Sequence, residues 1–424
     1  MAEYYKRIVD GELDDLLGGV AALSLDGPKA VGKTVTAQRR AATVISLDDS
    51  TQRAIIAADP RQISRKERPV LIDEWQYVPE VWDVVRRAVD EDRSPGQFIL
   101  TGSAGPTVPR HSGAGRIVRV RMRPLSIAER TGLSASVSLA NMLDSGKPGP
   151  VSGTSDLTLE SYVDFIVESG FPGIRELTGR SHRQQIAGYL ERIVDQDFDE
   201  LGVVVRKPDL LRRWMAAYAA ATSTTASYET IRDAATAGTA DKPAKSTVIP
   251  YRDTLERLFI LDEVPAWIPS RNYLGRLTRP PKHQLVDPAL AVSLLGLSRK
   301  ALLEGEEAGP PVPRDGTLLG HLFESLVTQS VKVYAQACEA NVYHMRTMGE
   351  RHEVDLIIAR PDGRFVAAEV KLSSTPEDSD AAHLHWLKEK AGADMLDAMI
   401  ITTGPQAYRR KDGIAVVPAA LLGP

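Results

Sequence analysis

The sequence predicts an α/β protein in three parts: a parallel-sheet domain over residues 1–180, a helical module over 181–280 and a second α/β domain over 281–424. Three observations support this. A glycine-rich loop stands between a strand-like run and a helix-like run at residues 27–34. Three helical segments fill the middle, and two alternating strands near the C-terminus carry an Asp, a Glu and a Lys. A chain of 424 residues is also too long for one hydrophobic core.

The composition is that of an ordinary globular protein, with 43% hydrophobic and 25% charged residues. A net charge of −4 and a pI near 6.1 argue against a protein that coats nucleic acid non-specifically, although basic clusters at 116–123 and 206–213 leave local contacts open. The single cysteine, Cys338, excludes a disulfide framework and a cysteine-based zinc cluster. No apolar run approaches about 18 residues and the N-terminus is too polar for a secretory signal. We therefore expect a cytoplasmic protein with no membrane partner.

Residues 27–34, GPKAVGKT, fit the GxxxxGK[ST] pattern of a phosphate-binding loop. Backbone N–H groups between the two glycines can wrap phosphates, and the helix that follows adds its positive N-terminal end. Lys33 would neutralise the terminal phosphates, and the Thr34 hydroxyl would hold Mg²⁺. The predicted nucleotide-binding residues are Gly27, Pro28, Lys29, Ala30, Val31, Gly32, Lys33, Thr34 and Val35. The sequence thus predicts ATP and magnesium binding, with a glycine-rich turn that binds no nucleotide as the alternative.

An apolar run at 69–72 leads directly into Asp73 and Glu74, about 40 residues after the loop. A buried parallel strand that ends in acids is typical of a site at the carboxyl end of a sheet. Asp73 would support the Mg²⁺ shell, and Glu74 would polarise the attacking water. The next strand, at 97–104, ends in Thr101, Gly102 and Ser103. Their hydroxyls either contact the γ-phosphate or the water, or they only cap an ordinary strand end.

Arg116 precedes a further strand and is a candidate arginine finger. A finger aids hydrolysis because negative charge spreads over the γ-phosphoryl oxygens in the transition state. Several other arginines stand beside it, so a solvated basic strand face explains Arg116 equally well. A finger that acts in trans would make the protein a homo-oligomer.

The blocks GPKAVGKT, VLIDEWQYVP, ILTGSA, GRIVRVRMRPLSIAE and SGFPG resemble, in this order, the AAA-type ATPases found widely in bacteria and archaea. That family carries a C-terminal domain of uncharacterised function with a restriction-endonuclease-like core, and the resemblance covers nearly the whole chain. It implies an ASCE-type sheet in which the phosphate-loop strand is flanked by the Asp73 and Thr101 strands. Ala30 and Val31 depart from the pattern, where a polar residue is more usual. We expect this to be harmless because these positions contribute backbone.

In the middle module, three short helices and the strand-like run 259–267 predict a winged helix-turn-helix. Ser227 would cap the second helix, with Glu229 in its first turn. The third helix, at 245–258, would be the recognition element. It would present Lys245, Ser246, Thr247 and Arg252 to a DNA groove. The resemblance supports a winged helix here, and a module that only packs between domains is the alternative.

Near the C-terminus, Asp355 lies on one alternating strand and Glu369 and Lys371 on the next, joined by a short turn at 361–363. Strand periodicity places Glu369 and Lys371 on the same side. This D-x13-E-x-K arrangement resembles the PD-(D/E)xK nuclease core, in which Glu324 on the preceding helix completes the pattern. The resemblance implies carboxylates that hold Mg²⁺ or Mn²⁺ at a scissile phosphate and a lysine that activates water. The alternatives are a surface salt-bridge set and a core that has lost catalysis.

Taken together, these motifs predict an ATP-hydrolysing protein whose nucleotide state controls a C-terminal nuclease-like domain acting on DNA. The alternative is a nucleotide-switched DNA-binding or regulatory protein with an inert nuclease-like domain. A divalent metal bound at Glu324, Asp355 and Glu369 distinguishes the two.

Overall fold

The structure is a computed structural model that describes residues 4–103, 114–132, 135–144, 149–236, 245–267, 279–304, 317–347 and 352–424. The chain divides into two compact units. The first unit comprises Met1–Arg123 and Asp253–Ile260, and the second comprises Pro124–Arg252 and Leu261–Pro424. This division differs from the predicted boundaries at 180 and 280. The reason is packing, because helices after residue 124 contact helices of the C-terminal part.

The first unit is built on parallel strands covered by helices. The strands are β1 Ala22–Asp26, β2 Thr43–Ser46, β3 Val70–Asp73, β4 Phe98–Gly102 and β5 Ile117–Arg121, and the helices are α1 Val9–Leu17, α2 Lys33–Gln38, α3 Ser50–Ala58 and α4 Glu80–Glu91. Short 3-10 turns cover Pro60–Arg65 and Trp75–Tyr77. Every residue of β1, β3 and β4 is buried, as expected for continuous apolar strands covered on both faces. On one face, α4 buries Trp82 against Trp75, with ring centroids 4.8 Å apart.

The sheet of the first unit has the strand order β2-β3-β4-β1-β5. The predicted order is therefore wrong in one respect. The phosphate-loop strand β1 pairs with β4 and β5, whereas the Asp73 strand β3 lies on the far side of β4. The register places Asp26 beside Gly102, and Thr101 beside Asp73. Because all five strands are parallel, their carboxyl ends meet at one edge, which still brings the predicted residues together.

The second unit combines helices with a large mixed sheet. Its helices are α5 Ile127–Arg130, α6 Leu139–Leu143, α7 Leu159–Glu168, α8 Pro172–Arg175, α9 Gly179–Arg192, α10 Phe198–Glu200, α11 Pro208–Ala220, α12 Tyr228–Ala235, α13 Lys245–Arg257, which continues into the residues of the first unit, α14 Pro288–Leu294, α15 Arg299–Glu304, α16 Thr317–Ala337 and α17 Ala382–Ala391. Its strands are β6 Val137–Ser138, β7 Gly153–Thr154, β8 Ala266–Trp267, β9 Asn341–Arg346, β10 Glu353–Ala359, β11 Phe365–Val370, β12 Met395–Thr402, β13 Gln406–Arg409, β14 Ala415–Pro418 and β15 Leu422–Gly423. A π-helical turn, Ile193–Asp197, links α9 to α10, and 3-10 turns cover Asp378–Ala381, Gly392–Asp394 and Ala419–Leu421.

Eight of these strands form one sheet in the order β7-β13-β14-β12-β11-β10-β9-β8. Strands β9, β10 and β11 are antiparallel neighbours, and β12 joins β11 in parallel after the crossover helix α17. The predicted hairpin is present as β10 and β11. The β10–β11 register pairs Leu356 with Ala368, which brings Asp355 next to Glu369.

In the middle segment, the three predicted helices are present as α11, α12 and α13. The Ser227 hydroxyl caps α12 by accepting from the Thr230 N–H at 3.0 Å. The run after α13 forms single bridges from Leu261 to Leu285 and from Val264 to Lys282, followed by β8. The side chains of residues 245–247 lie outside the described residues. The winged helix itself stays a prediction.

A buried carboxylate, that of Asp287, holds the SGFPG block, residues 169–173, in place. Asp287 Oδ2 accepts hydrogen bonds from the Gly170 N–H at 2.6 Å and the Ser169 hydroxyl at 3.1 Å. Its other oxygen caps α14 through the Ala289 N–H at 2.8 Å. A Cβ at Gly170 would lie 2.9 Å from the backbone carbonyl oxygen of Leu125 and 2.6 Å from the Arg130 guanidinium, so a side chain does not fit without a backbone shift. The block thus stabilises the second unit.

A second buried network surrounds Glu263. Its Oε1 accepts a hydrogen bond from the Tyr218 hydroxyl at 2.8 Å, another from the Tyr228 hydroxyl, and lies 3.2 Å from His283 Nδ1. Burial raises the pKa of Glu263, but the hydrogen bonds from His283, Tyr228 and Tyr218 outweigh burial and hold the pKa below its ordinary value. This carboxylate therefore stabilises the folded chain in its ionised form.

Candidate functional site

The phosphate loop connects β1 to α2 through a backbone that few residue types allow. A Cβ at Gly27 would lie 2.3 Å from the Met122 carbonyl oxygen, so a side chain does not fit there. Gly32 has a φ of 103° and Ala30 a φ of 63°, both in the left-handed region. For Ala30 this conformation costs about 1–2 kcal/mol, so the departure at this position carries backbone strain that was not expected from the sequence. Val31 is fully buried, and its carbonyl accepts from Arg7 Nη1 at 3.0 Å.

Lys33 begins α2 and points back over the loop. Its Nζ donates to the carbonyl oxygens of Gly27 at 2.9 Å and Pro28 at 2.8 Å, and the residue is only 4% exposed. Burial lowers the pKa of Lys33 to about 8, although the nearby acids Glu74, Asp73 and Asp26 oppose this shift. Of the other predicted loop residues, Lys29 is half-buried, whereas Val35 in the first turn of α2 is 52% exposed.

The Thr34 hydroxyl and the Asp73 carboxylate, whose oxygens suit magnesium as ligands, lie side by side at the carboxyl edge of the sheet. The Thr34 hydroxyl donates to Asp73 Oδ1 at 2.8 Å, and the Thr101 hydroxyl donates to the same oxygen. A hydroxyl and a carboxylate next to bound phosphates are the ligands that Mg²⁺ takes in nucleotide sites. Thr34 and Asp73 therefore fit a magnesium ion that arrives with the nucleotide and neutralises its phosphate charge.

Glu74 stands at the carboxyl end of β3 in a left-handed conformation, with φ 52° and ψ 46°. A non-glycine residue in this region stores strain and is often part of a functional site. Its Oε2 accepts hydrogen bonds from the Ser103 hydroxyl at 3.0 Å and from the Gln76 amide. The structure thus brings Glu74 and Ser103 together. The sequence analysis missed Gln76, whose signal was its position two residues after the acid.

Arg116 does not lie at the carboxyl edge of the sheet, where the phosphate loop is. It precedes β5, and the register pairs the first residue of that strand, Ile117, with Ala22 at the start of β1. Arg116 Nε forms an ion pair with Asp90 Oδ1 at 2.8 Å. The arginines at the phosphate-loop edge are instead Arg119, whose Nε lies 2.7 Å from Asp26 Oδ2, and Arg121. The guanidinium of Arg121 lies 3.9 Å from the ring centroid of Phe259. Arg116 therefore cannot reach its own phosphate loop.

In the second unit, the β10–β11 hairpin brings the predicted acids and lysine together. Lys371 Nζ lies 3.2 Å from Glu369 Oε2, and the Val370 N–H donates to Asp355 Oδ2 at 2.9 Å. The other oxygen of Glu369 is buried, and no hydrogen bond reaches it from the part of the chain that the structure describes. His383 Nδ1 lies 4.0 Å from that oxygen. We call Glu324, Asp355, Glu369 and their lysine partners the acidic centre.

The sequence analysis missed a lysine inside the acidic centre. Lys282 Nζ lies 2.8 Å from Glu324 Oε1, 3.0 Å from Asp355 Oδ1 and 3.4 Å from Glu353 Oε1. Its side chain is 1% exposed. Nothing in the sequence around Lys282 signals this role, since it stands in a polar, proline-rich run far from the acids.

The pKa values of the acids in this centre shift in different directions. Burial raises the pKa of Glu324 to about 8, with Asp355 adding to the shift and Lys282 opposing it. Burial also raises the pKa of Asp355, but Lys282 and Lys371 outweigh burial and bring it to about 2. The pKa of Glu369 lies well above its ordinary value because of burial and the neighbouring Asp355. Of these acids, Asp355 is therefore the one whose ionised form its surroundings favour most.

These residues do not fit the predicted divalent metal. The ammonium of Lys282 is hydrogen-bonded to both Glu324 and Asp355, the acids expected to ligate the ion from the helix and from the first strand. Within the described residues, no group of three or more His, Cys, Asp or Glu side chains could hold a metal ion. Metal ligation by Glu324, Asp355 and Glu369 therefore stays a prediction that these contacts oppose, and Lys371 pairs with the Glu369 carboxylate.

Comparison with known proteins supports the nucleotide site. Residues 20–131 match the AAA domain family, which supports the predicted P-loop ATPase. Residues 159–301 match a domain of unknown function, DUF8612, and residues 319–422 match another, DUF4143. Neither match establishes a winged helix or a nuclease. Within the described ranges, none of the helices has both the length and the apolar character needed to cross a membrane.

The chain is similar to two mycobacterial proteins and, weakly, to one solved structure. It is 24% identical over 404 residues to the uncharacterized protein Rv2008c of Mycobacterium tuberculosis, and equally to the uncharacterized protein Mb2031c of Mycobacterium bovis. Each alignment covers 93% of this chain and 79% of the relative. The Aeropyrum pernix ORC2 protein, solved in ADPNP-ADP complexes, is 13% identical with a TM-score of 0.30, covering 70% of this chain and 95% of that one. A likeness this slight carries no argument.

Proposed function

We propose that this protein is an ATPase whose nucleotide state controls how its C-terminal half acts on DNA. The match to the AAA domain family supports ATP binding and hydrolysis. The observation that carries the proposal is the set of contacts at one sheet edge. There, Lys33 covers the phosphate loop, Thr34 contacts Asp73, and Ser103 contacts Glu74.

Each of these residues has a distinct task in hydrolysis. The loop N–H groups and Lys33 hold the phosphates, and Thr34 and Asp73 hold the magnesium ion. The carboxylate of Glu74 polarises the attacking water as a general base. Ser103 and Gln76 fix the direction of that carboxylate through their hydrogen bonds to Oε2.

Two substitutions test the nucleotide site. Lys33→Ala should abolish ATP binding, whereas Glu74→Gln should bind ATP and fail to turn it over, because only the water-activating group is lost. Lys66→Ala, the same substitution at an exposed lysine, is the control and should leave both unchanged. Titration calorimetry with ATP and a phosphate-release assay give the two readouts. If the wild type binds ATP no better than Lys33→Ala, the assignment fails.

For the C-terminal half, two functions have specific support. The first is metal-dependent phosphodiester hydrolysis, which the convergence of Asp355, Glu369 and Lys371 on one hairpin favours. The second is nucleotide-switched DNA binding or regulation with an inert centre, which the position of Lys282 favours. We adopt the second. A cleavage assay on single-stranded DNA, duplex DNA and RNA, with Mg²⁺ or Mn²⁺ and with or without ATP, separates them. Cleavage that Asp355→Asn abolishes would establish the first.

The proposals of DNA binding and of self-association each depend on one structural element. DNA contact rests on α13, the predicted recognition helix. Self-association rests on Arg116, which lies at the sheet edge opposite the phosphate loop and could serve only the nucleotide of a neighbouring subunit.

A further inference from the structure

The acidic centre contains its own cation. The ammonium of Lys282 donates to Glu324 Oε1 at 2.8 Å and to Asp355 Oδ1 at 3.0 Å, with Glu353 Oε1 at 3.4 Å. An ammonium group has three N–H donors, and three carboxylates surround this one. Glu353 also pairs with Arg346, whose Nε lies 3.5 Å from its second oxygen. Basic side chains of the protein itself therefore compensate the negative charge of the acidic centre.

Lys282 is fixed in this position by its backbone as well as by its side chain. Its N–H donates to the Val264 carbonyl at 2.9 Å, and its carbonyl accepts from the Val264 N–H at 2.9 Å. This reciprocal pair holds the residue as a strand bridge, so the side chain enters the centre from a segment that is not part of the hairpin. With a 1% exposed side chain, Lys282 has no solvent-facing position to occupy without disrupting these bonds.

Lys282 binds one carboxylate oxygen of each of two predicted metal ligands, Glu324 and Asp355. Mg²⁺ binds carboxylate oxygens at about 2.0–2.1 Å in near-octahedral geometry. An ion placed on Glu324 Oε1 and Asp355 Oδ1 would therefore lie in or beside the position of the ammonium, 2.8 and 3.0 Å from the same atoms. Two cations at this separation in a buried site repel each other strongly. The centre accommodates either the lysine or the divalent ion.

The remaining acid also has a lysine of its own. Glu369 Oε2 pairs with Lys371 Nζ at 3.2 Å, and the Glu369 side chain is 5% exposed. Lys371, at 33% exposure, lies nearer the surface than Lys282. Two lysines thus serve the acids that the hairpin and α16 contribute.

We propose that Lys282 is the resident cation of the acidic centre, so that the C-terminal half keeps a nuclease-like arrangement of acids without binding a divalent metal there. This inference deepens the second of the two proposed functions and rests on it. The centre then stabilises the second unit and leaves its surface free to act by binding. Because the exclusion of the metal depends on one residue, removing Lys282 should restore metal binding.

The test uses the full-length, nucleotide-free chain with Asp73→Asn, which removes the magnesium ligand of the phosphate loop, and Mn²⁺ as the probe. Five chains are titrated with Mn²⁺ by calorimetry and by the loss of free-ion electron paramagnetic resonance signal: this parent, the parent with Lys282→Ala, the parent with Lys332→Ala, the parent with Asp355→Asn and the parent with both Lys282→Ala and Asp355→Asn. Lys332 is the matched control, a buried lysine whose Nζ lies 3.3 Å from Asp262 Oδ1. Thermal unfolding with and without Mn²⁺ is a second readout, because a cation that binds only the folded chain raises its Tm.

We expect no Mn²⁺ site in the parent or the Lys332→Ala chain, and one added site in the Lys282→Ala chain that Asp355→Asn removes. Mn²⁺ should raise the Tm of the Lys282→Ala chain alone. If that chain does not fold without metal, folding on addition of Mn²⁺ supports the proposal equally. Mn²⁺ binding by the parent that Asp355→Asn abolishes overturns it, and this arm does not depend on the Lys282 variant. A Lys282→Ala chain that folds and gains no site also overturns it. The ATPase assay with Glu74→Gln reports separately on the nucleotide site.

Discussion

Gly27→Ala should damage nucleotide binding for a steric reason that can be worked from the structure. The added Cβ would lie 2.3 Å from the Met122 carbonyl oxygen, about 1 Å inside the 3.4 Å at which ordinary contacts begin. That oxygen belongs to the backbone and cannot rotate away, so either the loop or the residues after β5 must move. Overpacking of this kind costs about 1–3 kcal/mol.

A displaced phosphate loop would also affect how the protein holds ATP. The Gly27 carbonyl accepts the hydrogen bond of Lys33 Nζ at 2.9 Å, so a shifted loop also moves the group that meets the terminal phosphates. Since 1.4 kcal/mol corresponds to a factor of ten, a loss of about 10- to 100-fold in ATP affinity is expected. Calorimetry with ATP measures this loss, and urea unfolding measures the accompanying loss of stability.

Gly11→Ala is the matched control. Gly11 lies inside α1, and a Cβ there meets no atom within 4 Å. Alanine favours a helix interior over glycine by about 1 kcal/mol, so this variant should be slightly more stable and bind ATP as the wild type does. A Gly27→Ala chain with wild-type affinity and unfolding free energy would refute the steric argument.

Three further predictions concern assembly, DNA and acid stability. If Arg116 acts in trans, Arg116→Ala mixed with Glu74→Gln should regain turnover, and activity per chain should rise with concentration; a monomer with a concentration-independent rate rules this out. Charge reversal at Lys245 and Arg252 should lower the salt dependence of DNA binding by about 0.9 in log-log slope per lost phosphate contact, whereas an unchanged slope makes α13 a packing element. Because the folded pKa of Glu263 lies below its ordinary value of about 4.3, its contribution to stability is present above that pH and lost as pH falls through the folded pKa. Glu263→Gln should therefore lose less unfolding free energy than the wild type between pH 7 and about pH 3, and equal losses in urea titrations would contradict this.

The sequence alone determined the parts of the nucleotide site that are local. The phosphate loop needs only contiguous residues, so Gly27, Lys33 and Thr34 could be identified by spacing. The acid pair at Asp73 and Glu74 could be placed at a sheet edge because a continuous apolar run ends there. In the second unit, strand alternation and a short turn were enough to bring Glu369 and its neighbours onto one hairpin.

The order of the strands and the roles of several arginines were decided by tertiary structure. Chain order does not reveal that β4 inserts between β1 and β3, since each strand pairs according to packing over long separations. The register of β5 then decides that Arg116 lies at the far edge while Arg121 lies beside Asp26. A run of alternating arginines contains no information about which end of the strand meets the phosphate loop.

Lys282 shows most clearly what the sequence could not supply. Its partners Glu324 and Asp355 lie 42 and 73 residues further along the chain. By itself it is a lysine in a proline-rich run, indistinguishable from a solvated surface lysine. Its burial follows from the bridge to Val264 and from the packing of α16 beside β9, and these depend on contacts between distant segments. The acids of the hairpin are close in sequence and could therefore be predicted. Lys282, the cation that decides their chemistry, is brought to them only by the fold.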